Sequence, residues 1–177
     1  MNVTINKKSI FESDFYKDTN KKKTSSDFYI ERGACHRIIS LVTMNNKTYG
    51  AFCERLVRDF FKLDPPMDTQ HDAIFLERRI EIKSPRMGAS GKYFIQHIKK
   101  DHNFEFILIN LLESKGFKTM ILSKKEALPH LKLQKGEGYF LNQKEIDKIS
   151  KVVKDRKDLR DYVLKNRRRS WILEDDD

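Results

Sequence analysis

The stretch His71-Asp72-Ala73-Ile74-Phe75-Leu76-Glu77-Arg78-Arg79-Ile80-Glu81-Ile82-Lys83 decides the fold. Two short runs within it, Ala73 to Leu76 and Arg79 to Lys83, are rich in the β-branched and aromatic residues that favour strands. The charged pair Glu77-Arg78 separates these runs and matches the length of a two-residue turn. The stretch therefore predicts a β-hairpin.

A turn at Glu77-Arg78 fixes the register of this hairpin, because it places Asp72 opposite Lys83. Side chains directly opposite one another point to the same face of a sheet, as do side chains two residues apart on one strand. Asp72, Glu81 and Lys83 therefore share one face, and the isoleucines between them point to the other. Two carboxylates and one amine are expected to converge at the end of the hairpin.

Such a trio suits metal-assisted hydrolysis of phosphodiesters. Carboxylate oxygens hold Mg²⁺, which keeps several waters and takes a phosphate oxygen as a further ligand. The ion lowers the pKa of a bound water and offsets the charge that develops on phosphorus. A lysine beside it can position or deprotonate the attacking water, or stabilise the pentavalent phosphorane. The alternative is a surface hairpin with solvated charges, since 35% of the residues are charged.

The spacing of Asp72 and Glu81-x-Lys83 resembles the Asp…(Asp/Glu)-x-Lys signature of the PD-(D/E)xK nuclease superfamily, the restriction-endonuclease-like fold. The run Glu81-Ile82-Lys83-Ser84 is most similar to small type II restriction enzymes. His71 stands where the signature has a proline. The resemblance covers roughly residues 49–122, and it implies a single α/β domain with a mixed central sheet flanked by helices.

The resemblance also implies roles for individual residues and a magnesium cofactor, for which Mn²⁺ can substitute. Lys83 activates water, and the backbone carbonyl of Ile82 completes the metal shell. Glu54, on a helix predicted from about Thr48 to Lys62, matches a glutamate that related nucleases add to the site; pairing with Arg55 or Arg58 is its alternative role. The implied metal ligands are Asp72, Glu81 and Ile82, and the implied catalytic residues are Asp72, Glu81, Lys83 and Glu54. Asp68, in the preceding loop, is a rival for Asp72, but Asp72 begins the strand directly.

The segment after the hairpin is predicted to meet DNA. Ser84 to Lys92 holds two glycines, a proline and two cations, which indicates a loop next to the metal site. Tyr93 to Lys100 is predicted to form a helix. The residues predicted to contact nucleic acid are Arg86, Ser90, Lys92, Gln96 and His97. Ordinary surface polarity is the alternative for these side chains.

The remaining elements follow from hydrophobic periodicity and caps. A first helix is predicted from Ser26 or Asp27 to about Val42. Strands are predicted over Phe104 to Leu112 and Phe117 to Leu122, with a short helical piece from Ser123 to Leu131. Asn142 and Glu145 indicate a capping box at the start of the helical C-terminal part, about residues 142–170. We expect residues 1–25 to form a basic segment that is frayed or loosely docked, and residues 26–177 to form one nuclease domain with its catalytic core at about 48–122.

Composition sets the class of partner. The chain has 177 residues, a net charge of +10 and an isoelectric point near 9.5, so a polyanion such as double-stranded DNA is the expected partner. Cys35 and Cys53 lack Cys-x-x-Cys spacing, which argues against a zinc site and a disulfide scaffold. No signal peptide or long apolar run is present, and we expect a cytoplasmic or nuclear protein with no membrane contact and no nucleotide cofactor.

Three functions remain open from the sequence. The resemblance favours a Mg²⁺-dependent DNA endonuclease, a sequence-specific type II restriction enzyme, and implies a homodimer because a two-fold protein matches a palindromic site. A structure-selective nuclease such as a Holliday-junction resolvase uses the same trio. A non-catalytic basic nucleic-acid-binding protein needs none of it, and its binding is sensitive to salt and indifferent to Mg²⁺.

Overall fold

A hairpin of β1 (Ala73–Phe75) and β2 (Arg78–Lys83) forms one edge of a five-stranded sheet. The computed structural model describes residues 22–136 and 138–171, and of residues 167–171 it describes the backbone only. The other strands are β3 (Phe94–Ile98), β4 (Phe106–Glu113), β5 (Gly116–Ser123), β6 (Lys132–Gln134), β7 (Gly138–Asn142) and β8 (Lys151–Val152). The helices are α1 (Ser25–Glu31), α2 (His36–Thr43), α3 (Asn46–Phe61), α4 (Lys124–Ala127), α5 (Gln143–Ile149) and α6 (Arg156–Trp171), with a short 3-10 helix at Leu128–His130.

The five-stranded sheet is mixed and has the order β1-β2-β4-β5-β8. Strands β2 and β4 run parallel, and every other neighbouring pair is antiparallel. Parallel neighbours require a long crossover, and here residues 84–105 supply it. This crossover contains β3, which joins β7 and β6 in a separate antiparallel sheet of order β3-β7-β6. The prediction of a single α/β domain with a mixed sheet is confirmed.

Both faces of the five-stranded sheet are covered. Helices α3 and α6 pack on the face that carries Ile80 and Ile82 of the hairpin, together with Leu108 and Ile121. The small sheet and α5 pack on the opposite face. The residues buried in this second layer include Tyr93, Ile95, Ile98, Ile107, Ile109, Met120, Leu122, Leu141 and Ile146. Because Glu81 and Lys83 alternate with the two isoleucines, they lie on the side of the sheet that faces β3.

The predicted first helix is two helices in the structure. Helix α1 ends at Glu31, and Gly33 follows with a φ of 68°. The N–H of Gly33 donates to the carbonyl of Ile30, and the N–H of Ala34 donates to that of Tyr29. This pair of bonds is a Schellman motif, which needs a residue in the left-handed region just past the helix. Gly33 was the sequence signal for the break, and α2 begins after it.

The prediction of a helix over Tyr93 to Lys100 is wrong, because this segment contains strand β3. Tyr93, Ile95 and Ile98 point into the core, and the register with β7 shifts between Ile95 and Ile98. His97 has a φ of 58° at this β-bulge. A bulge adds one residue to a strand, so the spacing of the buried residues becomes two and then three, which imitates the spacing of a helix.

The other predicted elements have counterparts in the structure. Helix α3 and strands β4 and β5 match their predicted segments within a few residues, and α4 with the 3-10 helix occupies the predicted short helical piece. Asn142 caps α5 by accepting from the N–H of Glu145. Helix α5 ends at Ile149, and α6 is a separate helix after β8. The predicted basic segment lies outside the described residues except for its last four. No described helix is both long and apolar enough to cross a membrane.

Candidate active site

The hairpin turn lies one residue earlier than predicted. Leu76 and Glu77 form it with φ values of 51° and 66°, and Phe75 pairs with Arg78. Positive φ at both central positions is the geometry of a type I′ turn, whose twist matches that of the flanking strands. The predicted pairing of Asp72 with Lys83 is therefore wrong.

Asp72 lies instead beside the backbone of β2. Its N–H donates to the carbonyl of Ile80 over 2.9 Å. Its Oδ2 accepts from the N–H of Ile82 over 2.7 Å. Ala73 also pairs with Ile80, so two successive residues face one, as in a β-bulge. These contacts hold the Asp72 carboxylate at the edge of the strand that carries Glu81.

Lys83 is held by two oxygen atoms. Its Nζ lies 2.7 Å from Oε1 of Glu81, with both side chains largely buried. The same Nζ lies 3.5 Å from the carbonyl oxygen of His97, at the bulge of β3. The Glu-x-Lys spacing places both side chains on one face of β2. The amine is thus fixed between the two sheets and next to the carboxylates.

Asp72 and Glu81 repel one another when both carboxylates are charged. Burial raises the pKa of Asp72 to about 7, and the negative charge of Glu81 adds to the effect. The hydrogen bond from Ile82 and the charge of Lys83 act in the opposite direction but are weaker influences on this pKa. A raised pKa in a partly buried acid marks a position where a positive charge is favourable.

Glu54 approaches the same group from α3. Burial raises the pKa of the Glu54 carboxyl, while the charges of Arg58 and Lys83 lower it and that of Glu81 raises it. Arg58, one helical turn after Glu54, donates from Nη1 to the backbone carbonyl of Asp72 over 3.3 Å. The charges of the hairpin and of Arg58 therefore both act on Glu54, and its two considered roles stay predictions.

The donor set fits a hard cation with a small number of protein ligands. Asp72 and Glu81 supply carboxylate oxygens, and Mg²⁺ normally keeps several waters. The raised pKa of Asp72 is the observation that favours a cation here. Within the described residues, no group of three or more His, Cys, Asp or Glu side chains has a geometry that could hold a metal. Glu54 is thus a neighbour of the two acids and not a third ligand in this arrangement.

Asp68, the rival for Asp72, lies outside the site. Its Oδ1 accepts from the N–H of Gln70 over 2.8 Å. The same atom lies 2.9 Å from Nδ1 of His71, whose ring is buried and whose Nε2 accepts from the N–H of Met67. Asp68 and His71 thus shape the loop before the hairpin, and Asp72 alone reaches β2.

Arg86 is bound inside the protein. Its Nη2 donates to the carbonyl of Met44 over 2.7 Å, its Nη1 donates to Asn46 over 3.3 Å, and its guanidinium lies 3.9 Å from the ring centre of Tyr49. A guanidinium held in this way fastens the loop to the start of α3. The DNA contact of Arg86 stays a prediction.

Ser90 and Lys92 line an open cleft of about 770 Å³. Its wall also carries Phe94, whose surface is 53% exposed, and Lys144. Strand β3 connects this cleft to the hairpin site, because Phe94 begins the strand and His97 near its end contacts Lys83. Two lysines beside an exposed aromatic ring suit a nucleic-acid strand.

Gln96 and His97 lie on strand β3 and not on the predicted helix. Gln96 accepts through Oε1 from Nε2 of Gln134 over 3.3 Å, within the small sheet. His97 reaches the site through its backbone carbonyl. This carbonyl and Arg58 are the site groups that the sequence prediction did not identify. The i,i+4 spacing of Glu54 and Arg58 was a usable signal for the arginine, whereas nothing local indicates a carbonyl that depends on a β-bulge.

No protein-family model matches this chain, and comparison with curated proteins gives no significant match.

Proposed function

We propose that this chain is a Mg²⁺-dependent DNA endonuclease that hydrolyses phosphodiester bonds, of the sequence-specific type II restriction class. One observation carries the proposal. Asp72 is bonded to the backbone of β2 next to Glu81, and Glu81 is paired at 2.7 Å with Lys83. The spacing of these three residues resembles the nuclease signature, and their geometry brings together the groups that the chemistry needs.

The roles in this proposal combine the resemblance with the observed positions. Asp72, Glu81 and the Ile82 carbonyl would hold the metal, which would supply an activated water and neutralise charge on the phosphate. Lys83, oriented by Glu81 and by the carbonyl of His97, positions the attacking water and stabilises the charge of the phosphorane. Arg58 holds the backbone carbonyl of Asp72 from α3, and Glu54 adds a negative charge near the two acids.

The net charge of +10 and the cleft with Lys92 and Lys144 at the start of β3 support a nucleic-acid substrate. A duplex is drawn to the basic surface at long range. The cleft next to β3 then offers cations for phosphates on one side of the bond that is cut.

The test is cleavage of unmethylated phage DNA and of a four-way junction, each with and without Mg²⁺. Lys83→Ala is expected to slow cleavage by about 10²- to 10⁴-fold, the usual contribution of such a group, while DNA binding is retained. Lys83→Arg keeps the charge but cannot act as a base, so its residual rate separates electrostatic stabilisation from proton transfer. Lys151→Ala, an exposed lysine at the opposite edge of the same sheet, is the matched control.

Discrete fragments that require Mg²⁺ and Lys83 support the proposal. Cleavage of the junction with intact linear DNA would reassign the chain to structure-selective nucleases. DNA binding without cleavage of either substrate, in wild-type protein that is folded and supplied with Mg²⁺ or Mn²⁺, would overturn the enzymatic proposal.

A further inference from the structure

Helix α3 carries an apolar stripe that is wider than the core requires. One row of this stripe is buried, with exposures between 0% and 4%; its members are Tyr49, Cys53, Val57 and Phe61. A second row, Phe52, Leu56 and Phe60, is exposed by 41%, 37% and 60%. We call these three residues the outer row. Its members are spaced by four residues, so they form a continuous line along the helix.

The outer row is unusual for a solvated helix surface. Isolated exposed apolar residues are common, but a contiguous line of large ones marks an interaction surface. Phenylalanine also forms helices less well than alanine, so local helix stability does not explain Phe52 and Phe60. The described part of the chain leaves the row uncovered.

Two opposite charges border the outer row on the side away from the core. Arg55 and Asp59 are both exposed on α3 and are four residues apart. In the described part of the chain neither forms a salt bridge. A cation and an anion that flank one apolar line can each meet the opposite charge on a second copy, provided that the two helices run antiparallel.

We propose that the outer row is the surface through which two copies of this chain associate, with α3 packed against α3 around a two-fold axis near Leu56. This arrangement sets Phe52 of one copy opposite Phe60 of the other, since both are four residues from Leu56. Arg55 of one copy then lies about two residues, or ~3 Å along the axis, from Asp59 of the other. The surface therefore sets apolar residues against apolar residues and opposite charges against one another, as a self-complementary two-fold contact requires.

The association leaves the hairpin site open. Residues two apart on a helix are separated by about 200° around its axis, so Glu54 and Arg58 lie on the other flank of α3 from Phe52 and Leu56. The inference gives a specific surface to the homodimer that the resemblance to type II restriction enzymes implies. Its test needs neither metal nor DNA, so association and cleavage can fail separately.

The contact is small. Helix α3 has 16 residues and is ~24 Å long, so a helix pair buries less than the ~800 Å² per partner of a standard interface. We therefore expect a dissociation constant on the order of micromolar. Two chains of charge +10 also repel one another, and salt screens this repulsion.

Sedimentation velocity of the full chain tests the proposal. The measurement covers about 1 to 200 µM protein, a range that begins near the expected dissociation constant and extends well above it, in about 0.3 M salt, where charge repulsion is screened. The wild-type mass is expected to rise from 21.0 kDa towards twice that value. Leu56→Glu should weaken association at least tenfold, roughly the effect of losing 1.4 kcal/mol. Ala51→Glu, which adds the same charge to an exposed position of α3 off the row, should leave it unchanged.

Charge exchange supplies the decisive comparison. Arg55→Asp leaves two anions beside the outer row of each copy, so they repel one another across the contact and should weaken association. The double variant Arg55→Asp/Asp59→Arg exchanges the two charges and should restore the wild-type affinity. Thermal unfolding monitored by circular dichroism verifies that each variant is folded. A wild-type chain that stays at 21.0 kDa at every concentration overturns the proposal. So does equal dissociation by Leu56→Glu and Ala51→Glu, or a charge exchange that fails to restore association.

Discussion

At the scale of single residues, Asp72 is an acid whose surroundings disfavour its charged form. Its folded pKa of about 7 lies above the ordinary value of 3.8. The folded chain therefore binds a proton more readily than the unfolded chain does. The stabilisation from the neutral acid is present below about pH 3.8 and is lost as the pH rises towards 7, above which the penalty is constant.

Asp72→Asn removes this titration and keeps an oxygen that can accept from Ile82. Relative to wild type, the variant is expected to gain on the order of 2 kcal/mol in free energy of unfolding between about pH 5 and about pH 8. Millimolar Mg²⁺ should stabilise the wild type at about pH 8 and leave the variant unaffected, because a bound cation offsets the same repulsion. Urea unfolding at the two pH values, with and without the ion, measures both effects. A difference between the two proteins that is constant across pH would refute the assigned cause.

The contact between Glu81 and Lys83 was easier to predict from the sequence than the contacts of Arg86. Glu81 and Lys83 meet because a spacing of two on any strand gives a shared face, which needs no knowledge of the register. The partners of Arg86 were not predictable, because Met44, Asn46 and Tyr49 lie at a helix start far away in sequence. A free and a bound arginine have the same sequence signature.

At the scale of elements, the errors have specific physical causes. The hairpin turn consists of Leu76 and Glu77, although type I′ turns prefer asparagine and glycine, and so the sequence lacked the usual signal. Strand β3 was mistaken for a helix because the bulge at His97 alters the spacing of buried residues. Long periodic segments such as α3, and continuous apolar runs such as β4, were predictable because no irregular position interrupts them.

The β3 bulge also depends on its neighbour β7. Gly138 has a φ of 88°, and a Cβ added there would lie 2.8 Å from the carbonyl oxygen of Ile98. Gly136 also has a positive φ, of 76°, but a Cβ there would meet nothing within 4 Å. A side chain at either glycine would strain the backbone, because both φ values are positive. Only at Gly138 would it also collide with the backbone of β3.

Gly138→Ala is expected to destabilise the chain by about 2 kcal/mol more than Gly136→Ala, because only the former forces β3 and β7 apart. Both variants carry the cost of a side chain at positive φ, roughly 1 kcal/mol. Since the bulge holds the carbonyl of His97 near Lys83, Gly138→Ala should also reduce DNA cleavage. Urea unfolding and initial cleavage rates of the two variants provide the measurement. Equal destabilisation by both would show that the bulge tolerates the displacement.

At the scale of the whole molecule, the order of elements explains where the candidate site lies. The crossover between β2 and β4 leaves the sheet after Lys83 and returns at Phe106, and β3 lies within it. This path brings the small sheet over the face that carries Glu81 and Lys83. The sequence predicted a mixed sheet but not this second layer, because strand pairing between β3 and β7 joins residues 41 to 48 positions apart.

The net charge of the molecule predicts affinity for polyanions but not where they bind. The structure offers one specific location, the cleft with Lys92, Lys144 and the exposed ring of Phe94. If this cleft holds the strand that enters the hairpin site, then its lysines each neutralise a phosphate. Each phosphate contact on duplex DNA contributes about 0.9 to the slope of log affinity against log salt.

The double variant Lys92→Ala/Lys144→Ala is therefore expected to bind duplex DNA more weakly and to reduce the salt slope by about 2. Lys151→Ala/Lys154→Ala removes the same charge from exposed positions on and after β8, at the far edge of the sheet, and should change the slope much less. Fluorescence anisotropy of a labelled duplex over a range of salt concentrations, without Mg²⁺, measures binding separately from cleavage. If both double variants lower the slope equally, then DNA responds to the overall charge of the surface, and the cleft is not its path to the hairpin.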